Sequence, residues 1–268
     1  MQNFTKLIIT EDNYTVINAN IPDIQCEGFF LIDTGATHSI MLGVPTMFSG
    51  GRNDTNRNII VNFEISIKNK VFKHDFYVLE KSIKIKEYNL LGILGTDFLS
   101  KFRCIINYRN NIFYWNQPKK RVKYEANFSY PIHIGYNKIG IPVAAIDNNE
   151  ASICAIVDTG SNANIINKNA ALENCLISTN LSGNESLIEI LGKKINATKL
   201  GLTFNLISYS SGKISYTEYK APFYIPTDKN DLFSSIDRRL PIQAILGNTF
   251  LHKYGWILDF SNDLMTSF

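Results

Sequence analysis

The 268-residue sequence has few cysteines and little net charge. Its four cysteines lie far apart and form no Cys-x-x-Cys pair, so we expect buried free thiols rather than a zinc site or a dense disulfide framework: Cys26, Cys104, Cys154 and Cys175. A formal net charge of +3 gives no basis for a nucleic-acid partner. The histidines share no metal-ligand spacing, and no glycine-rich phosphate loop occurs. We therefore expect no metal and no cofactor.

Long hydrophobic runs are also absent. The longest apolar runs, such as residues 28–32, are far too short to cross a bilayer. Residues 1–10 contain one lysine and a three-residue apolar stretch, which is not the pattern of a secretory signal. The sequence therefore predicts a cytoplasmic protein without a membrane partner.

Helical patterns are few and short, and most segments read as strands. The predicted strands are rich in β-branched and aromatic residues and are bounded by turn residues; they cover 14–21, 59–67, 71–79, 200–209 and 214–224. Short helices are predicted over 98–102, 167–175 and 250–254. The predicted fold class is therefore mostly β.

The sequence contains an internal repeat. Residues 29–36 (FFLIDTGA) match residues 154–161 (CAIVDTGS), and residues 92–102 (GILGTDFLSKF) match residues 244–254 (AILGNTFLHKY). The offset is 125 residues at the first motif and 152 at the second, so the second copy carries an insertion of 27 residues between its motifs. This duplication predicts two lobes, with boundaries at 1–117 and 118–268.

An Asp-Thr-Gly triplet follows an apolar strand in each copy, at Asp33 and at Asp158. A single triplet of this kind is usually an ordinary turn, whose aspartate accepts hydrogen bonds from nearby backbone amides. Two triplets, each followed by an apolar-apolar-Gly strand, favour a paired site instead. Two carboxyls in contact share one proton, so one of them can act as a base while the other acts as an acid.

The two motif pairs resemble those of the retropepsin-like aspartic peptidases, whose subunit carries one Asp-Thr/Ser-Gly loop and one apolar-apolar-Gly strand. Residues 33–39 (DTGATHS) resemble the loop of retrotransposon and bacterial members, and the 60 residues from Asp33 to Ile93 fit one subunit. The resemblance implies two β-barrel lobes that form an intramolecular pseudodimer with few short helices. It also implies an aspartic endopeptidase with Asp33 and Asp158 as the catalytic pair, because such dyads are known to share a proton.

Supporting roles for four further loop residues follow from the resemblance. Gly35 and Gly160 are expected to turn tightly and to expose their amides to the carboxylates. The hydroxyls of Thr34 and Thr159 are expected to bond across to the opposite loop and hold the aspartates in register. The apolar-apolar-Gly strands are expected to pass beneath both loops as scaffold.

The fourth loop position differs between the copies, with Ala36 in one and Ser161 in the other. In the family a hydroxyl here can donate to the aspartate and lower its pKa, whereas alanine cannot. We therefore predict that Asp158 is the partner that is more often ionised, and that the pH optimum is mildly acidic to near neutral. His38 is interpreted as loop support, because related loops carry histidine there without using it chemically.

A hairpin that covers the substrate is predicted in the second copy. Residues 187–197 alternate as a β-hairpin, and Leu191, Gly192 and Lys193 at its tip are the predicted substrate-binding flap. A plain structural hairpin is the alternative. Residues 43–58 of the first copy are polar and lack this alternation, which predicts a shortened or missing flap. Such asymmetry favours a monomer that binds a peptide or protein substrate.

Two other interpretations remain open at the level of sequence. The chain can be a catalytically silent peptide-binding or assembly module that keeps the fold. It can also be a tandem protein whose halves are active only as an intermolecular dimer. The intact motifs in both copies favour the enzyme.

Overall fold

The structure is a computed structural model that describes residues 3–43, 52–53, 59–80, 82–119, 128–131, 141–147, 152–177, 183–190, 193–210, 213–227, 233 and 241–267. Strands dominate these ranges, as the sequence predicts, and the helices are short. No helix in these ranges has both the length and the apolar character that a membrane span requires.

The elements of the first copy are β1 (Phe4–Lys6), β2 (Ile8–Ile9), β3 (Thr15–Ile21), a 3₁₀ turn (Pro22–Ile24), β4 (Cys26–Ile32), β5 (Ile40–Leu42), β6 (Arg52–Asn53), β7 (Ile59–Ile67), β8 (Lys70–Leu79), β9 (Ile83–Ile85), β10 (Tyr88–Leu94), α1 (Thr96–Lys101), β11 (Ile105–Asn107) and β12 (Ile112–Tyr114). Those of the second copy are β13 (Phe128–Pro131), β14 (Val143–Asp147), β15 (Ser152–Asp158), β16 (Ile165–Ile166), α2 (Lys168–Glu173), β17 (Asn184–Ile190), β18 (Lys193–Ser210), β19 (Lys213–Pro226), β20 (Ile242–Gly247), α3 (Asn248–Lys253), β21 (Ile257–Asp259) and β22 (Leu264–Ser267).

The two copies fold into sheets of the same topology. In the first lobe the order is β2-β3-β4-β10-β5-β8-β7-β6, and a further pairing between β3 and β7 joins distant strands of the sheet. In the second lobe the order is β14-β15-β20-β16-β19-β18-β17, with the equivalent extra pairing between β14 and β18. The predicted fold class, mostly β with two barrel lobes, is therefore confirmed.

A third sheet takes strands from both copies. Its order is β1-β12-β11-β21-β22-β13, and β11 pairs with β21 at its centre. Two equivalent hydrogen bonds flank this junction, from Tyr108 N to Trp256 O at 2.9 Å and from Phe260 N to Cys104 O at 2.9 Å. The lobes are therefore continuous through backbone pairing. The predicted boundary after residue 117 falls just beyond β12 and stays a prediction.

Local sequence explains several of the elements. The hairpin of β7 and β8 turns at Lys68 and Asn69, which both have positive φ (46° and 67°), as a tight two-residue hairpin turn requires. Helix α2 starts after Asn167, whose side-chain oxygen accepts from the amides of Asn169 and Ala170. The insertion in the second copy lengthens the matching hairpin, since β18 and β19 form 14 residue pairs against 8 for β7 and β8.

One large apolar cluster runs through both lobes, and its largest members include Phe72, Phe98, Trp115, Phe250 and Trp256. Burial of aromatic side chains on this scale is a main source of stability in a β protein. The cysteines are free thiols, as expected. Their predicted burial holds for Cys104, holds in part for the half-buried Cys26 and Cys154, and is wrong for Cys175, which is exposed after α2.

The second copy has a hairpin where the flap was predicted. Strands β17 and β18 pair from Asn184↔Lys199 to Ile190↔Lys193. Leu191 and Gly192, at the predicted tip, lie outside the described residues, and Lys193 is the first residue of β18.

The first copy has a much shorter hairpin in the equivalent place. It consists of β6 and β7, which form two residue pairs against seven for β17 and β18. The sequence predicts a shortened or missing flap in the first copy. The short hairpin observed there agrees with a shortened flap and not with a missing one.

Candidate active site

Parallel strand pairs bring Asp33 and Asp158 to equivalent positions. Strand β4 runs beside β10 and ends one residue before Asp33, whose amide donates to the carbonyl of Leu94 at 3.0 Å. In the second lobe β15 runs beside β20, and Asp158 pairs with Gly247. The apolar-apolar-Gly strands therefore lie next to the aspartate strands, and Leu94 and Leu246 are fully buried.

The threonines of the two loops interlock across the lobes. The hydroxyl of Thr34 accepts from the amide of Thr159 at 3.0 Å and donates to the carbonyl of Val157 at 2.6 Å. The hydroxyl of Thr159 accepts from the amide of Thr34 at 3.0 Å and donates to the carbonyl of Ile32 at 2.7 Å. Both side chains are fully buried. The bonds across the loops that the sequence predicts are therefore present.

Each carboxyl lies against the glycine of the opposite loop. A β-carbon at position 160 would be 2.3 Å from Cγ of Asp33, and one at position 35 would be 2.7 Å from Cγ of Asp158. Such distances are shorter than any van der Waals contact, so both positions require glycine. The two carboxyls therefore lie beside each other across the interlocked loops, close enough that Asp158 raises the pKa of Asp33. Residues 125 apart in the sequence therefore form one pair.

Backbone amides hold each carboxylate from its own loop. Oδ1 of Asp33 accepts from the amides of Gly35 at 2.8 Å and Ala36 at 3.0 Å. Oδ1 of Asp158 accepts from the amide of Gly160 at 2.8 Å. These bonds fix the direction of both carboxyl groups before any substrate is bound.

The surroundings raise both pKa values but not equally. Burial raises the pKa of Asp33 well above its ordinary value, and the neighbouring Asp158 raises it further. Burial also raises the pKa of Asp158, while the amide of Gly160 and the hydrogen bond from Asp33 oppose that rise. The asymmetry therefore favours protonation of Asp33 over protonation of Asp158.

The predicted cause of this asymmetry was different. The hydroxyl of Ser161 donates to the carbonyl of Ala163 at 2.9 Å and not to Asp158, so the predicted serine–aspartate bond is wrong. Ala36 contributes its backbone amide to Asp33. The pKa of Asp33 is raised further because Asp158 adds to the effect of burial there, whereas hydrogen bonds from Gly160 and Asp33 oppose burial at Asp158. The prediction that Asp158 is more often ionised stays a prediction.

His38 lies at the surface beside the loop. Its Nδ1 is 2.8 Å from Oγ1 of Thr37, and its ring packs edge-on against Tyr77 with 5.0 Å between the ring centroids. These contacts agree with the interpretation of His38 as loop support.

Sequence reasoning missed a second polar cluster behind the loop of Asp33. Ser39, His74 and Asp97 form partly buried hydrogen bonds there. The sequence signal for this cluster is Asp97, a carboxylate two residues after Gly95 at the position where the second copy has Thr249.

The close fit of Gly160 leads to a testable result. In Gly160→Ala the new methyl group displaces the Asp33 carboxyl, and a shift of about 1 Å can cost about 100-fold in rate. Given the catalytic role that the sequence predicts for the pair, we expect kcat/KM to fall by about that factor. Steady-state cleavage of a peptide substrate measures it. Gly201→Ala is the matched control, since a β-carbon at position 201 has no atom within 4 Å. Equal activity of the two variants would contradict the arrangement described above.

Comparisons with known proteins agree with this geometry at the level of fold. No protein-family model matches the sequence, and no curated protein sequence matches it either. Among solved structures, the chain is similar to an aspartic proteinase from Irpex lacteus, with a TM-score of 0.53 and 13% sequence identity over 98% of this chain and 97% of that one. At such low identity the likeness concerns the fold alone. The chain therefore has the two-lobed fold of aspartic proteinases.

Proposed function

We propose that the chain is an aspartic endopeptidase of the retropepsin-like type, in which lobes 1–117 and 118–268 form an intramolecular pseudodimer. The observation that carries the proposal is the placement of each carboxyl against the glycine of the opposite, equivalent loop, with the two loops held by reciprocal threonine bonds within one chain. A buried carboxyl pair that shares one proton is suited to activating water without a metal or a covalent intermediate.

Each residue of the pair has a defined role in the proposed reaction. Asp158 removes a proton from a water molecule as the water oxygen bonds to the scissile carbonyl carbon, while Asp33 gives its proton to the carbonyl oxygen. The product of this step is a neutral gem-diol. Asp158 then gives its proton to the amide nitrogen, Asp33 removes a proton from one gem-diol hydroxyl, and the C–N bond breaks. Both carboxyls end in their starting states.

The proposed substrate is an extended peptide or protein segment bound between the lobes. The paired strands β17 and β18 extend to residues 190 and 193, on either side of the predicted flap residues Leu191 and Gly192. An extended backbone can pair with such a hairpin, which leaves alternate side chains to fill pockets in each lobe. We assign a substrate-covering role to this hairpin.

Cleavage of a diverse peptide library, read by mass spectrometry, tests the proposed function. The experiment uses material that sediments as a monomer at low micromolar concentration, because the proposed site needs one chain. Cleavage by this material is the expected result. Activity confined to a dimer would support the tandem interpretation instead, and binding without cleavage would support a silent peptide-binding module.

The pKa directions predict the shape of the pH dependence. Activity requires one proton on the pair, so kcat/KM rises as Asp158 loses its proton and falls as Asp33 loses its proton. Both pKa values are raised by burial, and that of Asp33 is raised further. We therefore expect a bell-shaped profile with a mildly acidic to near-neutral optimum. A maximum below about pH 3.5, under the ordinary range of a carboxyl, would contradict this assignment.

A further inference from the structure

The missed polar cluster joins three elements of the first lobe. Asp97 in α1 accepts from the hydroxyl of Ser39 at 2.7 Å and from the amide of Ser39 at 3.0 Å. Oδ2 of the same carboxylate lies 3.2 Å from Nε2 of His74 in β8. Carboxylate, hydroxyl and imidazole therefore form one connected network.

This network is attached directly to the loop that carries Asp33. Ser39 lies six residues after Asp33, and its hydroxyl oxygen also accepts from the amide of Gly95 at 3.0 Å. Beside it, the amide of Thr96 donates to the carbonyl of Ala36 at 2.9 Å. The loop is therefore held at both Ala36 and Ser39 by the corner between β10 and α1.

Aromatic side chains surround His74, at the end of the network farthest from the Asp33 loop. His74 is 5% exposed, and the edges and faces of Phe76, Phe98 and Phe102 surround its ring at centroid distances of 5.2, 5.4 and 6.0 Å. Its Nδ1 has no hydrogen-bond partner among the described residues. Among the described residues, the polar contact of the ring is therefore the one between Nε2 and the Asp97 carboxylate.

Asp97 keeps its charge over the range in which the aspartate pair works. Burial alone would raise its pKa, but the hydrogen bonds from His74 and Ser39 outweigh burial and hold the pKa below the ordinary value. The pair needs a pH near or above that ordinary value, because the pKa of Asp158 is raised. Asp97 is therefore an anion whenever the pair carries one proton.

The second lobe has a neutral counterpart. Asn164 occupies the position of Ser39, since Tyr224 N donates to Asn164 O at 2.8 Å just as Tyr77 N donates to Ser39 O at 3.0 Å. The amide side chain of Asn164 accepts from Gly247 N at 2.9 Å and donates to the carbonyl of Pro222 at 2.9 Å.

The strand register at Tyr77 and Tyr224 places Ala221 where the first lobe has His74, and the second motif places Thr249 where it has Asp97. Among the described residues, the charged network therefore occurs in the lobe that carries Asp33 and not in the lobe that carries Asp158.

Other charged groups on the packed elements have partners away from Asp97. Lys73 Nζ lies 3.8 Å from Oε1 of Glu64, and Lys101 Nζ donates to the carbonyl of Lys73 at 3.0 Å. Asp75 accepts from the side chain of Asn62 at 2.6 Å. His38, next to Ser39, contacts Thr37. Among the described contacts, His74 is therefore the ionisable side chain that touches Asp97.

We propose that His74, Asp97 and Ser39 are positioning residues that hold the Asp33 loop in register with Asp158. The inference rests on the proposed function and adds an asymmetry to it, because in the described part of the chain the charged support lies beside Asp33 and not beside Asp158. Loss of that support loosens the contact between the carboxyls. The two pKa values of a coupled pair then move together, so the bell-shaped pH profile becomes narrower.

The test compares His74→Leu with His74→Gln. Leucine fills a similar volume but offers no donor, whereas the glutamine amide can donate to Asp97. Per folded molecule, we expect His74→Leu to lower kcat by about 100-fold with KM changed less than about threefold, and to narrow the pH profile. His74→Gln should recover most of kcat and the profile width. His252→Gln, at an exposed histidine of α3, is the matched control and should behave as the wild type.

Several outcomes would overturn the inference. An unchanged kcat and profile width in His74→Leu would do so, as would an equal loss in His252→Gln. If His74→Leu does not fold, Asp97→Asn decides by the same two readouts, because it removes the charge and keeps an oxygen acceptor for Ser39.

Hydrogen exchange separates failure of this inference from failure of the proposed function. If the wild type cleaves no peptide, the proposed function is wrong, yet the support can still be measured. Exchange in residues 33–42 should then be faster in His74→Leu than in the wild type, while residues 158–166 are unchanged. Equal exchange in residues 33–42 would show that the network does not hold the loop.

Discussion

Asp33→Asn and Asp158→Asn should each lower kcat/KM by at least about 1,000-fold, since general acid and general base catalysis each contribute on that scale. An amide cannot take the proton of water or give a proton to the carbonyl, so either change removes one half of the pair. Steady-state cleavage of a library-derived peptide measures the loss. Asp23→Asn is the matched control, because Asp23 is exposed in the 3₁₀ turn.

The same variants should be folded, and Asp33→Asn should be more stable than the wild type near neutral pH. The pKa of Asp33 is raised in the folded state, so its contribution to stability is present below the unfolded pKa and is lost as pH rises through the folded pKa. Because asparagine does not ionise, Asp33→Asn does not lose this stability as the pH rises. Urea unfolding should therefore show a gain for Asp33→Asn at pH 7 that disappears near pH 3. Full activity of either variant would exclude the proposed mechanism.

Thr34→Val and Thr159→Val should each destabilise the protein by about 2–6 kcal/mol. Each hydroxyl accepts one amide and donates to one carbonyl in a fully buried position, as the contacts of Thr34 with Thr159 and Val157 illustrate. Valine leaves both backbone groups unpaired, and each such group costs about 1–3 kcal/mol. Urea unfolding at a fixed pH measures the effect.

The double variant Thr34→Val/Thr159→Val distinguishes a network from separate bonds. The two hydroxyls serve the same pair of loops, so we expect the combined loss to differ from the sum of the single losses by more than about 0.5 kcal/mol. Thr203→Val, at an exposed position of β18, is the control and should change stability by less than about 0.5 kcal/mol. Single variants within that same range would mean that the loops are held together by other contacts.

Much of the fold and the paired site could be predicted because the deciding features are local and repeated. The strand predicted over 59–67 is β7 itself, since its alternating apolar pattern faces the core on one side. Asp33 and Asp158 could be paired because each follows an apolar strand and precedes a glycine in both copies. Repetition supplied the long-range information that a single motif lacks.

Other features depend on contacts that local sequence does not encode. The hairpin predicted over 187–197 and the strand predicted over 200–209 share one continuous strand, because β18 runs from Lys193 to Ser210 and changes its partner from β17 to β19. The direction of the Ser161 hydroxyl depends on the nearby carbonyl of Ala163, which competes with the carboxylate. The support formed by His74 and Asp97 joins residues 23 apart whose proximity follows only from the barrel. Tertiary packing decides each of these.

Strands β11 and β21 join the two copies in one sheet, and this link affects how the two halves of the site can evolve. In a homodimer every substitution enters the active site twice, so both halves of the site must accept the same residue. A covalent link removes this constraint and keeps the second half at a fixed, high effective concentration. Each half is then free to specialise, as the contrast between His74 with Asp97 and their neutral counterparts Ala221 and Thr249 illustrates.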